Sequence, residues 1–312
     1  MTPQEFTFLR RTLKEISGLN LGADKEDMLE GRLRPLLREF GLSSISSLVL
    51  QLMRRDADHL RARLAQAVTV QESYFFRDKM PFQYFADVLL PKLLETRRSS
   101  RKIRVWCAAA ATGQEPYSLA MALAEKEPEL IGWTVEIVAT DFAEEALRKA
   151  RNGLYSQFEV QRGLPVTLLV KHFQKVGTGW EISPEIRAKV AFRVHNLLDD
   201  GEHLGTFDVI FCRNVLIYFD DETKRAVLAR LASALASDGT LVLGAAETTT
   251  GLSDDFVAVP EGHHGIFCFT PAAAAAKSAK ERAAREDGEG RAGLDAAPAI
   301  EQGALSLCAS PR

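Results

Sequence analysis

The chain has no uninterrupted apolar run long enough to span a bilayer. Its N-terminus, MTPQEFTFLRRTL, lacks the pattern of a secretory signal. Its four cysteines (Cys107, Cys212, Cys268, Cys308) share no metal-type spacing, so no metal site is expected. Cys107 and Cys212 fall in apolar runs and are expected to be buried free thiols. A formal net charge of −3 argues against a general nucleic-acid binder. Together these absences predict a soluble cytoplasmic chain. There is no internal repeat.

What is present is an ordinary globular composition, 46% hydrophobic and 26% charged in 312 residues. That is enough for one large domain or two smaller ones. The most informative stretch is Ile103 to Ser118, IRVWCAAAATGQEPYS. It begins as a strand, passes through tiny residues and enters a helix at Glu115-Pro116. Small residues there let a ligand approach the backbone, and the helix start offers free N–H groups. A second strand, Thr134 to Thr140, ends on Asp141, placed to accept hydrogen bonds from a ribose diol. The pair reads as a nucleoside-binding half of a doubly wound sheet. The alternative is a plain βαβ unit with an Ala-rich turn, because this turn lacks the G-x-G-x-x-G fingerprint.

The first ninety residues carry helical periodicity. Phe6, Leu9, Leu13 and Ile16 mark a first helix, and further helices are predicted over Lys25–Phe40, Ile45–Met53 and Asp56–Ala67. Seven arginines stand against four acids between Met28 and Leu64. That excess reads as a solvated face, with a docking surface for an acidic partner as the alternative. In the following linker, VTVQESYFFRD, Phe75 and Phe76 are expected in a core, and Arg77 beside them needs a partner. Phe82–Thr96 is predicted helical and leads into the first strand.

Residues 163 to 195 interrupt the alternation of strands and helices. Leu168–Lys175 and Gly179–Ile182 flank a turn and read as a small antiparallel insert. The run Ala188–Val194 either completes that insert or returns to the main sheet. Thr206–Asn214 is a buried strand whose carboxyl end carries Arg213 and Asn214, where an open α/β sheet binds ligands. Asp220–Ala236 is a helix, Gly239–Ala245 a strand, and Phe256–Pro260 and Gly265–Thr270 two short strands around EGHHG. His263 and His264 read as turn residues and not as metal ligands. From Pro271 the chain is Ala-rich, has six basic and six acidic residues and no aromatic, and is expected to be a disordered tail over 271–312.

Five motifs in order, QESYFFRD (71–78), VWCAAAATGQEPYS (105–118), ATD (139–141), NLL (196–198) and FDVIFCRNVLIYF (207–219), resemble the CheR family of chemotaxis-receptor glutamate methyltransferases. The resemblance covers residues 3 to 270. It implies an α/β architecture: an N-terminal all-helical domain and linker (1–78), then a Rossmann-like S-adenosylmethionine-dependent methyltransferase domain (79–270) with an antiparallel β-subdomain insert. It implies S-adenosylmethionine as cofactor, S-adenosylhomocysteine as product, and a cofactor site of Gln71, Ser73, Arg77, Glu115, Asp141, Asn196, Leu197, Arg213 and Asn214. In the family Glu115 lies by the cofactor's amino-acid end, Asp141 on the ribose, and Asn196 and Leu197 beside the adenine. Arg77 is expected to orient the acceptor carboxylate, and Tyr218 to wall the methyl site or else to pack in the core.

Gln71 and Ser73 stand where the family usually has Asn and Thr, and Gln114 where it usually has Glu. The short turn at 176–179 argues against docking of a receptor's C-terminal peptide tether. The implied partner is the cytoplasmic helical domain of chemotaxis receptors, met by a monomer without membrane insertion or nucleic acid. Rival readings are a non-catalytic S-adenosylmethionine sensor, a nicotinamide oxidoreductase, and a methyltransferase acting on RNA or a small molecule.

Overall fold

The computed structural model describes residues 1–259 and 267–272; of residues 267 and 268 it describes the backbone. His263, His264, Cys308 and the predicted tail from 273 onward lie outside the described residues, as does the Cys268 side chain.

The N-terminal segment is four helices: α1 (Pro3–Ser17), α2 (Glu26–Glu39), α3 (Ile45–Leu52) and α4 (Asp58–Val68). Helix α1 starts on a capping box between Thr2 and Glu5 and stops at Gly18, which takes φ +72°. Its apolar positions Phe6, Leu9 and Leu13 close onto Leu29, Leu33, Leu48, Leu52 and Leu64 to form one core. Four of the seven arginines are engaged locally. Arg32 donates to the Val68 carbonyl, Arg54 pairs with Asp56, Arg61 with Asp58, and Arg63 grips Glu39 at 2.8 Å.

The linker leads into α5 (Met80–Tyr84), a π-helical turn (Phe85–Leu89) and α6 (Leu90–Thr96). Then come β1 (Lys102–Ala108), α7 (Gln114–Glu125), β2 (Thr134–Asp141) and α8 (Glu144–Asn152). They are followed by β3 (Leu154–Ser156), α9 (Gln157–Gln161), α10 (Val166–His172), β4 (Phe173–Val176), β5 (Gly179–Ile182), α11 (Pro184–Arg187) and β6 (Val190–Val194). The chain continues with β7 (Phe207–Cys212), α12 (Asp221–Ala234), β8 (Leu235–Leu243), β9 (Phe256–Ala258) and β10 (Phe267–Pro271).

The main sheet has the order β6-β2-β1-β7-β8-β10-β9, with β10 antiparallel to both its neighbours. Its central strands are buried on both faces. In β1, Ile103, Val105 and Cys107 enter the core that contains Phe75, Phe82 and Tyr117, while Trp106 and Ala108 enter the one beneath α12. Cys107 and Cys212 are buried free thiols. Among the described residues no helix is long and apolar enough to cross a membrane.

The insert differs from the sequence reading in two ways. Val166–His172 is a helix, not the start of a strand, and only Phe173–Val176 pairs with β5. The third strand of the small sheet is Leu154–Ser156, nine residues before the predicted insert begins. Of the two courses left open for the run Ala188–Val194, the second holds: Val190–Val194 returns to the main sheet, parallel to β2. Leu154–Ser156 is too short to show a strand pattern. The apolar run after Pro165 is compatible with strand or helix, and the choice is made by what it packs on: Leu168 and Leu169 lie against the core that holds Phe173.

Candidate functional site

A pocket opens at the carboxyl ends of β1, β2 and β7, where the fold places ligands. Gln71, Ser73, Arg77, Glu115, Asp141, Asn196, Leu197, Arg213, Asn214 and Tyr218 all line it. So do Ser17 and Leu19, so the helical domain supplies part of the wall.

The turn after β1 is forced into an unusual shape. Ala109 and Ala111 both take positive φ (61° and 48°), a conformation that is costly for any residue with a Cβ. Asp141 holds that shape. One carboxylate oxygen accepts the Ala111 N–H at 2.9 Å and the other the Ala143 N–H at 2.9 Å. The carboxylate, with about four acceptor positions, keeps capacity for a ligand. Burial pushes the Asp141 pKa up, against the pull of those backbone bonds. Gly113, with φ +93°, closes the turn where a Cβ would sit 2.8 Å from that of Ala150.

Glu115, in the first turn of α7, has a side chain only 13% exposed. Burial raises its pKa, opposed by the Arg213 guanidinium at 2.9 Å. Arg213, with 1% side-chain exposure, also donates to Asp78 at 2.6 Å and to the Arg77 carbonyl at 3.0 Å. It therefore ties the end of β7 to α7 and to the linker. Ser118 adds a second tie by accepting the Phe76 N–H at 2.9 Å. Phe75 is fully buried, edge-on to Tyr155 and Phe173, while Phe76 is half-buried.

Arg77 differs from Arg213. Its guanidinium lies 5.3 Å from the centre of the Tyr74 ring and makes no ion pair among the described residues. Of the two pocket arginines, Arg213 is paired with two carboxylates through its terminal nitrogens while its buried Nε has no partner, and Arg77 forms no ion pair, among the described residues.

Asn196 is placed in the wall, but its amide is taken: it donates to the Ile16 carbonyl at 2.8 Å and accepts the Leu198 N–H at 3.1 Å. Tyr218 packs against both the helical core and the core beneath α12, and its carbonyl accepts the Asn20 N–H at 2.9 Å. These contacts bind the helical domain to the pocket.

The sequence reading did not single out Glu247. It is 4% exposed, and its carboxylate accepts the N–H groups of Asn214, Val215, Leu216 and Gly244 at 2.7 to 2.9 Å. Its only sequence signal is an isolated acid just after an apolar strand. Asp78 was read only as part of its motif, and its ion pair with Arg213 spans 135 residues.

Two buried acceptors in the pocket, Gln71 Oε1 and Asn214 Oδ1, and one buried donor, Arg213 Nε, have no partner among the described residues. Buried polar atoms are nearly always satisfied. With the Glu115 and Asp141 carboxylates the two amide oxygens make an acceptor-rich wall, suited to a ligand that carries an ammonium group and hydroxyls. S-adenosylmethionine has both, so the residues fit it.

Comparison with known proteins agrees with that chemistry. The family model described as CheR methyltransferase, SAM binding domain, matches residues 71–264, and CheR methyltransferase, all-alpha domain, matches residues 4–69. The chain is 39% identical over 256 residues to chemotaxis protein methyltransferase 1 of Pseudomonas aeruginosa, covering 81% of this chain and 93% of that one. It is 39% identical over 260 residues to the chemotaxis protein methyltransferase of Vibrio parahaemolyticus, covering 82% and 93%. To that of Escherichia coli it is 33% identical over 263 residues, covering 82% and 88%.

Proposed function

The chain belongs to the CheR methyltransferase family, and we propose that it methylates glutamate side chains of chemotaxis receptors, forming glutamate methyl esters. S-adenosylmethionine, held in the pocket described above, supplies a sulfonium methyl to an incoming nucleophile.

The observation that carries the glutamate reading is the guanidinium of Arg77, without an ion pair among the described residues, beside that of Arg213, which is held by Asp78 and Glu115. A free glutamate has a pKa of about 4.3, so at neutral pH the acceptor is already a carboxylate and needs no general base. What the protein must provide is alignment, an effect worth roughly 7–11 kcal/mol when the reacting atoms are well oriented. Arg77 can present a bidentate fork to that carboxylate. Too strong a grip would stabilise the ground state and slow transfer. Cation–π contact with Tyr74 directs the guanidinium without neutralising it. Glu115 and the two unpartnered amide oxygens hold the donor's amino-acid end, and Asp141 its ribose. Leu197 offers an apolar wall to the adenine, and Tyr218 closes the pocket beside the methyl. Arg213 acts by fixing Glu115 and the linker. The receptor's cytoplasmic helical region is the proposed partner.

The test is methyl transfer from labelled S-adenosylmethionine to receptor-bearing membranes. Base-labile label on receptor glutamates is the expected result. Tight cofactor binding with no label transferred would instead assign a sensor, and label on another residue type another acceptor.

A further inference from the structure

Glu247 lies four residues beyond the end of β8 and forms no ion pair among the described residues. A carboxylate buried this deeply is costly unless its charge is met by hydrogen bonds. Here four backbone N–H groups meet it. Oε2 takes Asn214 and Gly244, each at 2.7 Å, and Oε1 takes Val215 at 2.9 Å and Leu216 at 2.7 Å.

Three of those donors are consecutive, which makes residues 214–216 an anion-binding nest. The nest is filled by the protein's own side chain. It opens with Asn214 at φ +59°, a conformation asparagine tolerates better than most residues but still a strained one. Gly244 leaves no room for movement: a Cβ there would lie 2.7 Å from Glu247 Oε2 and 2.8 Å from Asn214 Nδ2. The outcome is an Asn214 side chain held against the pocket with its Oδ1 buried and unpartnered.

We propose that Glu247 is a positioning residue for methyl transfer, locking the 214–216 nest so that the Asn214 carbonyl oxygen faces the bound donor. This rests on the reading of the pocket as the S-adenosylmethionine site. Gln cannot replace Glu here. One oxygen can serve two N–H groups, but the amide nitrogen would face the other two.

The test uses the full chain and four variants: Glu247→Gln, Glu247→Asp, Asn214→Gly and the double Glu247→Gln/Asn214→Gly. Glycine keeps the nest conformation and removes only the aimed side chain. S-adenosylhomocysteine affinity is read by calorimetry, beside the melting temperature without ligand. Glu247→Gln and Asn214→Gly should each lower affinity tenfold or more, and Glu247→Asp should fall between. Glu247→Gln should cost less than twofold further once Asn214 is glycine, because coupled residues are not additive. A residue that merely supports the fold would give additive losses, which would overturn the proposal. Wild-type affinity in Asn214→Gly would also overturn it, even if neither Glu247 variant folds. A wild-type chain that binds neither S-adenosylmethionine nor S-adenosylhomocysteine would instead defeat the donor-site reading, and the proposal with it.

Discussion

The three central strands β1, β2 and β7 each carry polar groups at both ends, and the two ends are treated in opposite ways. At the amino end, Arg104 of β1 donates to Glu136 of β2 and to the carbonyls of Leu204 and Thr206. Asp208 of β7 takes Arg97 at 2.7 Å and the Arg104 N–H at 2.8 Å. Arg97 completes its fork on Asp238. Arg97, Arg104, Glu136, Asp208 and Asp238 all have charged partners or carbonyls there. At the carboxyl end the partners run short: Gln71 Oε1, Asn214 Oδ1 and Arg213 Nε are unmet, and Arg77 forms no ion pair, among the described residues. Of the seven non-glycine residues with positive φ among the described residues, Phe76, Asp78, Lys79, Ala109, Ala111 and Asn214 lie in the linker or in the turns after β1 and β7. The seventh is Arg101, just before β1. One end of the sheet is built to hold the fold together and the other to be completed by a ligand. Local strain is tolerated where the surrounding structure over-determines it.

The largest effect that would test this contrast is at Arg77. Arg77→Ala should leave the melting temperature near wild type and lower the single-turnover rate at saturating receptor by about two orders of magnitude or more, the scale of lost alignment. Arg77→Lys should recover little, because a point charge does not copy a fork. Weaker S-adenosylmethionine binding with an unchanged rate would move Arg77 from the acceptor to the donor.

Next comes Asp141 set against Glu136, two acids on one strand. Asp141→Ala should weaken S-adenosylhomocysteine binding by roughly 1.5–3 kcal/mol for each charged hydrogen bond lost. Glu136→Gln, at the amino end, should change that affinity less than about twofold and act on stability alone. Equal losses of affinity would erase the distinction between the ends.

A smaller, graded effect is expected with pH. Burial holds the Glu115 pKa above the ordinary 4.5, so its protonated form favours the unliganded fold, and that contribution fades as pH rises through the folded pKa. A ligand ammonium needs the ionised form. Affinity should therefore fall as pH drops through the range just above the ordinary value, with proton release on binding. Calorimetry in buffers of different ionisation enthalpy reads this, and Glu115→Gln should remove it. The smallest effect belongs to the amino end. Asp238→Asn, at a side chain 45% exposed, should cost under about 1 kcal/mol in urea unfolding and leave affinity unchanged.

Much of this arrangement was legible in the sequence because it is local. Asp141 closes an apolar strand and Glu115 opens a helix, so their positions follow from strand and helix signals alone. The linker aromatic Phe75 was readable as core for the same reason. The helix at Val166–His172 was not, since its β-branched and apolar residues satisfy either periodicity. Leu154–Ser156 is too short to carry a pattern at all. Glu247 was hidden for a different reason. Its partners are peptide N–H groups, three of them 31 to 33 residues away, and backbone donors leave no mark in side-chain identity. Asn196 was visible as a motif, yet its bond to Ile16 could not be seen without the fold.

That bond has a consequence for how the molecule is made. Ile16 and Asn196 are 180 residues apart, and Asn20 meets Tyr218 across a comparable separation. Chains emerge from the ribosome amino end first, so the helical domain can be complete long before the wall that will face it exists. The pocket is a late product of synthesis, closed only when residues near 218 and then Glu247 have been delivered. Contacts so distant in sequence are slow to form, since loop closure precedes any reward. A nascent or truncated chain would therefore display a finished helical domain with no capacity to bind the methyl donor.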